Sequence, residues 1–85
     1  MTITLEQQIA AARRELALRK NVYAKRIRER TMSLDQATRE YCNALAILRT
    51  LEAIEEGTYE NLEAGWHFDE QAVRDMLDRA ILRVT

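Results

Sequence analysis

Apolar residues recur along this chain at helical spacing in three segments, separated by short polar breaks. In the first, Leu5, Ile9, Ala12, Leu16, Tyr23 and Ile27 fall on one narrow stripe, which predicts a helix over about 5–29. Thr4 and Gln7 have capping-box spacing, in which hydroxyl and amide satisfy otherwise orphaned backbone donors. Arg19 and Lys20 occupy a gap in the stripe, where long stems cover apolar surface while the charges reach water. A weaker second stripe carries Ala11, Leu18 and Val22.

The second segment places Ala37, Tyr41, Leu45, Leu48, Leu51 and Glu55 on one stripe, widened by Ile47 and Ile54. It predicts a helix over about 34–56, entered through a Ser33–Gln36 capping box with Met32 at the staple position. Gly57 is its natural left-handed terminator. Cys42, Ala46 and Ala53 form a small-residue side of this helix, whose wide apolar arc suits a central element. The short connection forces the first two helices into an antiparallel hairpin. With the turn near residue 32, facing positions sum to about 64. Ile27 then meets Ala37, Tyr23 meets Tyr41, Leu16 meets Leu48, and Ile9 meets Ile54.

Residues 57–68 read as an elbow, with one helical turn at 58–64 closed by Gly65. A third helix over about 69–83 carries Val73, Met76, Leu77, Ala80, Ile81 and Val84 on one stripe. Phe68 and Val73 have staple spacing around an Asp69 cap, and Arg79 and Arg83 suit the C-terminal end of the macrodipole. Glu70–Arg74 and Asp75–Arg79 are favourable pairs four residues apart, as is Glu15–Arg19 in the first helix. This helix folds back on the hairpin or docks on another subunit. The expected fold is all-α: a single domain, a helical hairpin plus a shorter third helix.

Composition narrows the chemistry. An 85-residue chain has a small core, which rarely supplies more than about 3–5 kcal/mol of net stability. Cys42 is the only cysteine, so no disulfide forms within the chain. Cys42 and His67 are the only soft ligands, too few for structural zinc. Glu52, Glu55 and Glu56 share one helix but lack the Glu-x-x-His partners of a di-iron bundle. They read as surface charge, and no metal or cofactor is expected. No apolar run is long enough to span a membrane, and no signal peptide is read at the start, so a cytoplasmic location is expected. His67 reads as an elbow residue without a partner base or nucleophile, Cys42 as a packing thiol, and no glycine-rich phosphate loop exists. No enzyme is expected.

Charge is segregated. The net charge is −1, yet residues 1–30 hold eight Lys/Arg and three acids, whereas residues 50–73 hold seven acids and no Lys or Arg. The acids Glu52, Glu55, Glu56, Glu60 and Glu63 are interleaved or flanked by Tyr59, Trp66 and Phe68. Aromatic anchors inside a field of one sign suit a protein interface, because binding energy concentrates in Trp and Tyr while charge steers encounter. The alternative reading buries Trp66 and Phe68 under the core and leaves the acids as solubilising charge, offset by Arg13. On the basic side Arg14, Lys25 and Arg28 share the outward face of the first helix and are the candidates for phosphate contact.

The segment Arg14-Glu15-Leu16-Ala17-Leu18-Arg19-Lys20-Asn21-Val22-Tyr23 resembles an R-E-[IL]-x-x-R-[RK]-x-V-Y motif of short phage and prophage proteins. In those proteins a Met-Ser or Met-Thr turn follows, here Met32-Ser33, and then a second helix ending in L-x-T-L, here Leu48 to Leu51. The likeness covers about the first 55 residues. It departs in two places: Ala24 stands where the family has proline, and Arg30 where it has glycine just before the turn. The resemblance implies a phage origin and a bacterial host cytoplasm, and not an activity.

The leading expectation is a phage-type protein–protein interaction module, an inhibitor or modulator of a host or defence protein acting by surface occlusion. Its partner would carry a basic surface. The contact would use Glu52, Glu55, Glu56, Tyr59, Glu60, Glu63 and Trp66. The alternatives are a nucleic-acid-associated regulator using the basic first helix, or a phage assembly accessory. A homodimer could cover whichever extra stripe the third helix leaves open.

Overall fold

A computed structural model describes residues 1–58 and 65–83, in three helices: α1 (Leu5–Arg28), α2 (Leu34–Glu56) and α3 (Glu70–Arg83). Each begins where a side chain captures a free backbone donor. Thr4 Oγ1 accepts the Gln7 N–H at 3.1 Å while Gln7 Oε1 accepts the Thr4 N–H at 2.8 Å, a complete capping box. The Gln36 N–H donates to Ser33 Oγ at 3.0 Å. The Ala72 N–H donates to Asp69 Oδ1 at 3.2 Å, so Asp69 caps α3 from just outside it.

The two helix ends of the hairpin close alike. At the end of α2 the Thr58 N–H reaches the Ala53 carbonyl at 2.8 Å and the Gly57 N–H reaches Ile54 at 3.2 Å, with Gly57 left-handed at φ 74°. At the end of α1 the Thr31 N–H reaches Arg26 at 2.9 Å and the Arg30 N–H reaches Ile27 at 3.1 Å. This is the same double-bonded closure, and it demands a left-handed residue between. Here that residue is Arg30, at φ 62°. The turn therefore keeps the geometry that glycine would serve, although an arginine occupies it. A non-glycine residue in this region is disfavoured by about 1–2 kcal/mol, and glycine returns part of that through the freedom of the unfolded chain. Arg30→Gly is expected to stabilise the protein by about 0.5–1 kcal/mol in urea unfolding, and Arg30→Ala to bring no such gain.

The hairpin is antiparallel, in the register expected from sequence. Leu16 and Leu48 share a buried cluster with Ile9, flanked by Leu5, Ala12, Leu45 and Leu51. Nearer the turn, Tyr23 and Ala37 pack with Val73 and Leu77 of α3, so one cluster joins all three helices. Ala24 and Ala37 have no exposed surface, consistent with close approach of the backbones where α3 docks. The third helix folds back on its own hairpin and contacts both α1 and α2. It lies on the Cys42 side of α2, fastened by Arg74, which bonds both Asp35 and Glu70. Thr38 is buried there with its hydroxyl donated to the Leu34 carbonyl at 2.7 Å.

Some expected contacts are replaced by others. Ile54 does not meet Ile9 in the core; it is exposed, as is Ile47, so α2's buried arc is not widened on that side. The reason is placement: α3 covers the opposite side of α2, about half a turn around it. Arg19 donates to the Tyr23 hydroxyl at 2.9 Å where an ion pair with Glu15 was expected, and Asp75 accepts from Gln71 at 2.9 Å where Arg79 was expected. In both cases a neighbour four residues away on the same helix takes the group. The helical turn expected at 58–64, and Val84, lie outside the described residues apart from Thr58.

Candidate functional site

The acidic end of the hairpin is built by the last turns of α2 and by the chain returning along its back. Glu52 is already held by two arginines. Arg13 Nη2 donates to one carboxylate oxygen at 2.9 Å and Arg49 Nη1 to the other at 3.2 Å, leaving the side chain 20% exposed. The Arg13 bond, aided by Arg49, holds this carboxyl below the usual carboxylate range. Its contribution is thus present at neutral pH and fades as pH falls through the lowered value. Glu52 ties α1 to α2 and lines the same hollow as Glu56 and Trp66.

Glu55 and Glu56 are different. Both are exposed, and among the described residues neither forms an ion pair. Trp66 comes back over α2 beside Glu56. Its Nε1–H donates to Thr50 Oγ1 at 3.1 Å, and the side chain stays 42% exposed. Together Trp66, Glu56, Thr58, Arg49 and the buried Ala53 line a shallow hollow of about 360 Å³. The structure therefore brings together Glu56 and Trp66, while Glu55 is exposed on the same last turn of α2. Tyr59, Glu60 and Glu63 lie outside the described residues.

A larger groove of about 560 Å³ runs between α2 and α3, and both His67 and Cys42 line it. Sequence distance concealed that meeting. The pair is poorly set for nucleophilic chemistry, because burial, reinforced by Glu70, pushes the Cys42 thiol up and disfavours the thiolate. The groove's other charges are two acids, Asp35 and Glu70, and two cations, Arg39 and Arg74. Arg74 is held by both acids, which raises its guanidinium further, with the Asp35 bond the larger cause. No excess of one sign remains to select a charged ligand.

On the basic side, Arg14, Lys25 and Arg28 are exposed on α1, and Lys25 approaches Glu29 at 3.8 Å. From Arg14 to Arg28 they extend along about 21 Å of helix, a spread row with no convergence on one point.

The sequence pattern only half anticipates one surface: Leu18 and Val22 fall on a second stripe, but Ile47 and Ile54 are not expected beside them. On the hairpin face opposite α3, Leu18 is 60% exposed, Val22 46%, Ile47 62% and Ile54 39%. Leu18 and Val22 border a groove whose far bank is Gln36 and Glu40. Glu40, Ile47 and Ile54 follow one another at intervals of seven residues, so they share that bank along α2. The signal was present in that spacing, but it was read as core width. Neither family models, nor curated proteins, nor solved structures gave a match to this chain.

Proposed function

We propose that this chain is a phage-type protein-interaction module that binds a basic surface of a host or defence protein through its acidic–aromatic end and occludes it. The observation that supports this most is Trp66: a half-exposed indole, oriented by its bond to Thr50, sharing a hollow with Glu56, which forms no ion pair among the described residues. A rigid aromatic loses little entropy on binding, and surrounding acids speed encounter with a cationic partner. Nothing catalytic is assigned to the chain, in line with the disfavoured Cys42 thiolate. The likeness of residues 14–51 to short phage proteins supports the phage setting, and with it the bacterial cytoplasm.

The test is affinity capture from bacterial host lysate with the wild-type chain, Glu55→Lys/Glu56→Lys, and Trp66→Ala. The captured protein should be lost with both variants while helical circular dichroism stays unchanged. Capture at normal strength by the charge-reversed chain removes this end from consideration. Binding of nucleic acid instead, steeply salt-dependent and abolished by neutralising Arg14, Lys25 and Arg28, assigns the function to α1.

A further inference from the structure

We infer that the hairpin face opposite α3 is the seam of a symmetric dimer, its occupant a second copy of this chain. The face mixes exposed aliphatics with charge of both signs: Glu15, Arg19 and Arg26 on α1, Glu40 on α2. Leu18, Val22, Ile47 and Ile54 are its exposed aliphatics. Its periodicity is that of a helix bundle. Ala11 and Leu18 are seven residues apart, as are Glu15 and Val22, and Glu40, Ile47 and Ile54. Repeats of seven keep a seam facing a neighbouring helix over several turns.

Charge chooses the occupant. A two-fold axis running along the groove lays α1 of each copy antiparallel on α2 of the other, completing a four-helix bundle. The hairpin's own register then applies between copies, with facing positions again summing to about 64. Ile47 faces Leu18 of the second copy, and Ile54 faces Ala11. Arg26 comes opposite Glu40, twice, because the axis repeats the contact. Glu15 comes opposite Thr50 and not opposite another carboxylate. The face is thus complementary to itself in both shape of pattern and sign of charge. Its size suits the role: two helices about 36 Å long, side by side, present a slab of roughly 650 Å² before side-chain relief, near the ~800 Å² per partner of a standard stable interface.

This inference is independent of the acidic–aromatic reading, which rests on other residues. Sedimentation equilibrium of the full chain at about 100 μM should return twice the 9.9 kDa chain mass. Ile47→Glu should return a single chain mass with helicity retained, since Ile47 is exposed in the isolated chain. Arg26→Glu alone should weaken association by about tenfold or more, and Arg26→Glu/Glu40→Arg should restore it. A wild-type chain that stays monomeric at this concentration overturns the inference, including the case in which Ile47→Glu abolishes capture of some other protein. A dimer indifferent to Ile47→Glu and to the charge swap overturns it as well.

Discussion

Leu77→Ala is expected to lower the free energy of unfolding by about 3 kcal/mol, within the 2–5 kcal/mol span of buried leucine truncations. Among the described residues Leu77 is the one large side chain with no exposed surface, and it stands in the cluster where α3 meets both hairpin helices. Truncation leaves a void between three elements that cannot all close on it, because the fully buried Ala37 already brings α2 close there. In a domain with about 3–5 kcal/mol in hand, a loss of this size takes most of the stability. Urea unfolding followed by circular dichroism should show the midpoint moving to low denaturant. A change under 1 kcal/mol would mean that α3 is not docked as described.

Tyr23→Ala should be at least as damaging, at about 3–5 kcal/mol, and should leave little cooperative unfolding to observe. Tyr23 is buried to within 5% and packs against Ala37, Val73 and Leu77, so its ring connects the hairpin to α3. Its hydroxyl accepts from Arg19 Nη1 at 2.9 Å, and that bond is the main cause of the raised Arg19 guanidinium. Arg19 lies at the surface, where water can replace the phenol oxygen. Tyr23→Phe should therefore cost no more than about 1 kcal/mol. The contrast between the two variants separates ring packing from the hydrogen bond. Equal damage by both would show that the bond, and not the ring, holds the corner.

The architecture was legible because its signals are local. Thr4 with Gln7, Ser33 with Gln36, Gly57 and Asp69 each mark a helix boundary within a few residues, and each does so in the structure. The hairpin register followed from matching two apolar stripes, and Leu16 packs with Leu48 as that match requires. The Arg13–Glu52 bond is its polar counterpart. What stayed hidden depends on a third body. Both α1 and α2 carry more apolar surface than one seam uses, and the pattern alone does not say which excess α3 covers. Ile47 and Ile54 read as core for that reason, although they face away from α3.

The candidate site was legible in charge and composition, less so in partnership. Seven acids in residues 50–73, with no Lys or Arg among them, suggested an open negative field, but Arg13 from the other helix and Arg49 just before the segment both pair with Glu52. The indole bond to Thr50 joins residues sixteen apart across the elbow, beyond what helical spacing reports. Arg30 is a similar case. Its backbone holds a left-handed φ of 62°, a conformation that nothing in the local spacing of an arginine announces.

Trp66 is the only tryptophan, so fluorescence excited at wavelengths where the indole but not tyrosine absorbs reports on the proposed contact surface. The direct measurement is its emission when the captured host protein, in a tryptophan-free variant, is titrated in. The account predicts a blue shift and loss of acrylamide quenching at saturation, as the half-exposed ring is shielded from water. Emission and quenching that stay unchanged while the complex forms would contradict it, and would place the interaction elsewhere on the molecule.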